Sequence, residues 1–430
     1  MIVSSDGVER ARQRLRDPRT RVVGWGTGSV FDYFYASRPM RLDALVDNDA
    51  SRWGQRRHGM TIQSPDCLRD EDPARLLVVI YSGAWMEIAA GIAEGLRASG
   101  AAPITAVPAS ALFAGPLERG RLKRADALAA ADPLTRQPRP ARSIVVQGPL
   151  LTGVTTTVLR ALAALHPDDL IVLSTWRDAD PALLNDVRPY VDEVVLSDVP
   201  SRRGIQNRNC QLTSTQAGIG RARACGARTI LKTRTDLVPL AAHLFDEAEA
   251  IFHGVDDKAA RRHGLENRLI VPASFTRKYL LYHPSDLLML GTARDMALYW
   301  DAPPDPREGN LLGPEWMNLS LTELATGGNP AESYLGSSFA RRIGWPQSGT
   351  VEDSWAFYRD LFVVVDNDQF ELLWLKNLAI PDVDVTRGPR QLVHHAFWQR
   401  LLARDPGLAA EMRAVDPGTV GLRDLSGLAA

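Results

Sequence analysis

The sequence predicts an α/β protein of two successive domains, each a mainly parallel sheet covered by helices. Three observations lead there. Short apolar runs such as LLVVIY (76–81) and LIVLST (170–175) alternate with stretches of helical period, and strands separated by helices form parallel sheets. The stretch 116–142 is charged and Ala-rich, then rich in Pro and Arg, as a helix followed by a linker would be. The 430 residues are 45% hydrophobic and 23% charged, an ordinary globular composition with length for two or three cores. The predicted organisation is a first domain at 1–115, a helix and linker at 116–142, and a larger domain at 143–430.

In the first domain, Arg21–Gly24 reads as a strand, Ser29–Tyr35 as a helix, Leu42–Val46 and Leu76–Tyr81 as strands. Glu87–Ala98 has helical period and reaches Gly100, a C-cap residue. Pro103–Val107 reads as a last strand. The second domain repeats the grammar. Ser143–Gln147, Leu170–Thr175, Glu193–Ser197, Thr229–Lys232, Leu269–Pro272, Asp286–Leu290 and Leu361–Val365 read as strands. Thr155–Leu165, Asn207–Cys225 and Asp295–Trp300 read as helices, the second stopped by Gly226.

Composition narrows the function. Fifty Lys and Arg against 51 Asp and Glu give a net charge of −1, without the basic excess of a duplex nucleic-acid binder. No run of 18 apolar residues predicts a membrane span, and the N-terminal stretch lacks the apolar core of a signal peptide. Cys67, Cys210 and Cys225 form neither a disulfide framework nor a zinc pattern. The expectation is a soluble, cytoplasmic protein. Arg119–Arg124 is basic enough for peripheral contact with the inner face of a membrane.

Two regions carry polar motifs. Gly24, Gly26 and Gly28 follow the first strand, and Asp47 ends the second. Such glycines let backbone approach a phosphate at a helix start, and the acid can take a ribose diol. The third glycine is displaced from GxGxxG, so a Rossmann-like turn with nothing bound explains the pattern equally. Val46–Asn48, Trp53, Gly54, Gly59, Ile62 and Ser64-Pro65 together resemble small Rossmann-like modules fused to sugar- and polysaccharide-processing enzymes.

The second domain is denser. Gln147-Gly148-Pro149 ends its first strand, where open parallel sheets bind ligands. Thr152 and Thr155–Thr157 follow, and Ser174-Thr175-Trp176 ends the next strand. A helix from Asn207 would put Asn207, Gln211, Ser214 and Thr215 on one unusually polar face, and buried amides and hydroxyls need partners. In Leu231-Lys232-Thr233-Arg234-Thr235-Asp236 an apolar strand runs into charge. Period two sets Lys232, Arg234 and Asp236 on one side. Only five of the 50 cations are lysines, which singles out Lys232. Two cations suit a diphosphate, and the carboxylate suits a divalent metal or a sugar hydroxyl. The segment resembles the acidic DxD of GT-A glycosyltransferases, with Arg234 where the first acid would stand.

The ordered set VVQGPL, LSTW, NRNCQLTSTQAGI and LKTRTDL resembles the WavE lipopolysaccharide-synthesis family over about 143–345. The resemblance implies a GT-A-like α/β glycosyltransferase domain behind an N-terminal Rossmann-like parallel-sheet domain. It implies a nucleotide-sugar donor and a lipopolysaccharide or capsule acceptor, as free or lipid-linked glycan. On the matched positions, Gln147, Gly148, Asn207, Arg208 and Gln211 would shape the nucleotide site. Lys232 and Arg234 would offset the leaving diphosphate, and Asp236 would hold metal, Mn or Mg, or donor sugar. Downstream, His283 is a candidate metal ligand, and Asp286 or Glu332 a candidate base on the acceptor side. Gly313-Pro-Glu315-Trp316 and Asn329–Leu335 each set a carboxylate beside an aromatic. Asn329–Leu335 resembles the family's Pro-Glu-x-Tyr-type segment, with Ala331 inserted. Asp366-Asn367-Asp368 is a true DxD, but a turn after a strand explains it.

The sequence thus reads as a glycosyltransferase. Two alternatives stay open. One is an NAD(P)-dependent oxidoreductase built on Gly24–Gly28 and Asp47, though no Tyr-x-x-x-Lys pair accompanies it. The other is a non-catalytic glycosyltransferase-like binding module, kept open by the missing first acid.

Overall fold

In the computed structural model the described residues are 3–68, 71–99, 104–131, 136–309, 318–327, 330–378, 392–413 and 415–421. The chain divides into two compact units, Met1–Ala130 with Leu373–Thr386, and Ala131–Leu372 with Arg387–Ala430.

The first unit holds a six-stranded sheet of β1 (Arg21–Trp25), β2 (Ala44–Val46), β3 (Arg56–Arg57), β4 (Met60–Gln63), β5 (Leu76–Ile80) and β6 (Thr105–Pro108). The order is β3-β4-β2-β1-β5-β6, parallel except for the β3–β4 pair. All five residues of β5 are buried, as expected of a strand covered on both faces. This is the predicted Rossmann-like sheet. Gly100 and Pro103 lie outside the described residues.

The second unit holds seven sheet strands: β7 (Arg139–Gln147), β8 (Asp169–Trp176), β9 (Glu193–Ser197), β10 (Thr229–Arg234), and, after the short β11 (Leu237–Pro239), β12 (Leu269–Pro272), β13 (Met289–Thr292) and β14 (Phe362–Val365). Their order is β14-β12-β13-β10-β7-β8-β9. β13 runs antiparallel to β10 and to β12, and the other pairs are parallel. This is the predicted larger α/β domain, its sheet mainly parallel.

Three local expectations are corrected. β7 begins at Arg139, inside the predicted linker, with a register irregularity between Arg139 and Ser143 that accommodates Pro140. The predicted strand at Asp286–Leu290 instead runs Met289–Thr292. Side-chain hydroxyls capture the backbone before it: Ser285 N–H donates to Thr276 Oγ1, and Leu287 N–H to Ser285 Oγ. The long helix runs Arg208–Ala224 and excludes Asn207, which is left-handed at φ 59°.

That helix lies close over the sheet. A Cβ on Gly218 would sit 2.5 Å from Val145 Cγ1 and 3.1 Å from Ser174 Cβ, so only glycine permits the approach. The helix thereby brings its polar side chains onto the ends of β7 and β8.

Candidate functional site

The carboxyl ends of β7 and β10 form the floor of the site. Thr235 N–H donates to Gln147 O at 3.1 Å, and Gly148 N–H to Ser174 O at 3.1 Å. Gly148 is at φ +128°, and a Cβ there would stand 2.9 Å from Thr235 Oγ1, so the QGP turn requires glycine. Gln147 is buried and accepts from Ser214 Oγ at 2.8 Å. The hydroxyls of Ser174, Thr175 and Thr215 are buried nearby in sequence and fold with no hydrogen-bond partner among the described residues. Thr155 Oγ1 accepts from Leu151 N–H at 2.9 Å, closing the turn before its own helix.

Lys232 is fully buried. Its ammonium donates to the Asp286 backbone carbonyl and stands 4.7 Å above the Trp300 ring. Burial pulls it down to about 7, against the attraction of Asp286. Arg234 and Asp236 hold each other bidentately, Nε to Oδ1 at 2.8 Å and Nη2 to Oδ2 at 3.0 Å. Asp236 is 2% exposed and Arg234 28%. Burial works against the Arg234 charge, but Asp236, with Asp286 and Glu332 beyond it, raises its pKa.

The acceptor-side candidates arrive from later elements. Gln211 Nε2 donates to Asp286 Oδ2 at 2.7 Å, tying the long helix to the loop 282–286. The helix Ala331–Arg342 packs on that loop through small residues. Ser333 Oγ donates to Leu281 O at 3.0 Å. A Cβ on Gly336 would lie 2.1 Å from Tyr282 O, so backbone meets backbone there. This contact carries Glu332 to His283, Nε2 to Oε2 at 3.5 Å. Burial, then the charge of Asp286, raises the Glu332 pKa far above the ordinary carboxyl range. Arg277, not singled out in the sequence, lies near enough to oppose that rise.

Two predicted nucleotide-site residues have other surroundings. Arg208 forms a wholly buried ion pair with Asp305 at 3.2 Å, donates Nε to Ile205 O, and lies 4.8 Å from the Tyr334 ring centroid. Its neighbour Asn209 donates to Asp305 O at 2.8 Å and accepts from Asp305 N–H at 2.7 Å. Both residues clamp the chain around 305 rather than line the strand ends. Asn207, displaced from the helix face, instead lines a cavity of about 720 Å³ with Ser201, Arg203, Gly204, Gln206 and Glu308. Gln206 and Asn207 are consecutive left-handed residues, φ 57° and 59°, a strain held by surrounding bonds. Gln206 Oε1 accepts from Ala331 N–H at 3.2 Å, which joins this turn to the helix that carries Glu332.

Asp236 and His283 do not join in a metal centre as they stand. Asp236 spends both oxygens on Arg234. His283 donates Nδ1–H to Phe275 O at 2.9 Å and turns Nε2 to Glu332. Among the described residues no three His, Cys, Asp or Glu side chains form a metal-holding group. Glu315 and Asn329 lie outside the described residues. Asp366 accepts from His395 N–H at 3.1 Å, so the late DxD serves a turn. No helix among the described residues is long and apolar enough to cross a membrane.

In the first unit, Asp47 accepts from Thr27 N–H at 2.8 Å and from Asp49 N–H at 3.0 Å. It thereby fastens the glycine turn to the end of β2.

No curated protein matches the chain at a significant level. A family model does match, across less than half of the chain, and it takes in every candidate named above from Gln147 to Asp286 but stops before Glu332. Residues 142–307 match the model of the family described as WavE lipopolysaccharide synthesis.

Proposed function

We propose that the protein is a glycosyltransferase of bacterial surface-polysaccharide synthesis. It moves a sugar from a nucleoside-diphosphate sugar to a hydroxyl of a lipopolysaccharide or capsule precursor, at the inner face of the membrane. One observation carries the reading. Within and beside the family segment, the two cations Lys232 and Arg234 both lie in the field of Asp236, Asp286 and Glu332, with Arg234 paired to Asp236 and the Lys232 ammonium on the Asp286 carbonyl, at the carboxyl end of β10 beside β7, where such sheets take ligands.

The donor lies over the Gln147–Gly148 turn at the carboxyl end of β7. Arg234, the partly exposed cation, stabilises the departing diphosphate, which is the main catalytic effect. Lys232 lies beneath the surface and acts by holding the Asp286 loop. Glu332, with its raised pKa, takes the proton from the acceptor hydroxyl, since a base poised near neutrality transfers protons best. Asp236 orients Arg234 or, on releasing it, meets the donor sugar or a divalent ion.

The test is release of nucleoside diphosphate from a panel of UDP-, GDP- and CDP-sugars, with and without Mn²⁺ or Mg²⁺, in the presence of lipid-linked glycan. Turnover of one donor that is lost in Arg234→Ala supports the reading. Binding without turnover would favour a non-catalytic module, for which the closed Arg234–Asp236 pair speaks.

A further inference from the structure

We propose that the first unit holds a separate ligand site, for a nucleoside phosphate, in the cleft at the carboxyl ends of β1, β2 and β5. The cavity measures about 330 Å³ and is lined by the Gly26–Gly28 turn, Asp47, Arg52 and the Tyr81–Gly83 turn. It stands where the strand order reverses: from β1 the chain goes to β2 on one side, and β5 and β6 lie on the other. Open parallel sheets bind ligands at that point.

The chemistry of the ligand follows from what lines the cleft. Gly26 is at φ +98°, and a Cβ there would stand 2.9 Å from Tyr81 O, so glycine lets the turn close against the next strand. Gly28 has extended backbone, φ −82° and ψ −166°, and caps the nine-residue helix Ser29–Ser37 without a side-chain hydrogen bond. Nothing lies within 4 Å of where its Cβ would be. Gly28 and Val30 both line the cleft, so a phosphate there meets first-turn N–H groups that lack intrahelical partners, at the positive end of the helix.

Asp47 supplies the second contact. Oδ2 is filled by Thr27 N–H, Thr27 Oγ1 and Arg52 Nη1. Oδ1 accepts only Asp49 N–H among the described residues, and a carboxylate oxygen can accept twice. Burial opposes the Asp47 charge, but these hydrogen bonds and Arg52 hold its pKa below the usual carboxylate range. It is therefore a fixed acceptor with one site left for a ligand hydroxyl. A phosphate at Gly28 and a hydroxyl at Asp47 Oδ1 are the two ends of a nucleoside phosphate, with Trp25 and Ile88 as apolar wall. The volume is at the small end of the ~300–1,000 Å³ of ligand pockets, which suits one nucleotide rather than two.

Gly28→Asp tests this without harming the fold. An aspartate is a favoured helix cap, its Cβ has room, and its charge repels a phosphate. Equilibrium dialysis of the full chain would use AMP and UMP, with adenosine, uridine and inorganic phosphate as controls. The expected result is binding of AMP or UMP by the native chain and at least a tenfold loss in Gly28→Asp, with no fall in Tm. Nucleoside or phosphate alone should bind at least tenfold more weakly. Lys232→Met, a change in the second unit, should leave the binding unaltered. Equal binding by Gly28→Asp, loss on Lys232→Met, inorganic phosphate as tight as the nucleotide, or no nucleotide bound would each overturn the proposal. The readout is binding alone, so it stands or falls apart from sugar transfer.

Discussion

Lys232→Met separates a buried amine from a working surface cation. The ammonium is fully enclosed, between the Asp286 carbonyl and the Trp300 ring. Its pKa falls from 10.5 to about 7. At about 1.4 kcal/mol per pH unit, keeping it protonated inside the fold costs about 5 kcal/mol below pH 7. The sign is definite. Between pH 7 and 10.5 the unfolded chain holds a proton that the folded chain lacks, so stability rises with pH through that window. Methionine has similar length and no charge, so its contribution is flat with pH. It forfeits the bond to the Asp286 carbonyl, a constant offset of about 1–3 kcal/mol. The difference in unfolding free energy, variant minus native, should therefore move by about 4 kcal/mol in favour of methionine from pH 10 to pH 6. Urea unfolding at the two pH values measures it, with both chains carrying Glu332→Gln so that the titration of this neighbour of Lys232 does not enter; titrations of groups that do not interact with Lys232 cancel in the difference. A difference constant to within about 1 kcal/mol would mean an ordinary, solvated lysine. Lys232 would then be available to a diphosphate after all, against the placement argued above.

Other consequences follow. Asp305→Ala removes the carboxylate from an ion pair with Arg208 in which neither side chain is exposed; the expected loss is about 3–5 kcal/mol by denaturant unfolding. An unchanged midpoint would mean that water reaches Arg208. Glu332→Gln should slow transfer by about 10²–10⁴-fold with the fold intact. In the native enzyme the rate should rise with pH above the usual carboxyl range, because the base must first lose the proton that burial and Asp286 make it keep. A rate flat from pH 5 to 8 would remove Glu332 from the base role. The same raised pKa makes stability fall as pH rises through that range, a slope that Glu332→Gln should abolish.

Much of the fold was legible because its strands are buried on both faces and read as unbroken apolar runs. LLVVI and LIVLST are strands for that reason, and Thr155–Leu165 is a helix with the bounds its period predicts. The antiparallel direction of β13 was not legible, since direction is set by the connections and leaves no mark in a four-residue strand. Asn207 misled because polar side chains suit a helix face and a strained turn alike. Only the backbone, left-handed at both Gln206 and Asn207, decides between them. Arg208 shares a motif with Gln211, yet helix geometry turns one to Asp305 and the other to Asp286. The meeting of Glu332 with His283 depends on Gly336 and Ser333 letting a helix reach the 281–284 backbone. Small residues at i and i+3 are too common for the sequence to announce that contact. The QGP and LKTRTD segments were the strongest local signal, and the structure does join them, through Gln147, Gly148 and Thr235.

The most direct measurement of the central claim is mass spectrometry of a lipid-linked glycan incubated with the protein and the nucleotide sugar that it hydrolyses or binds. The account predicts an acceptor heavier by one sugar residue with the native chain, and none with Arg234→Ala or Glu332→Gln at equal fold stability. A glycan of unchanged mass with every donor, or the same product from both variants, would contradict it.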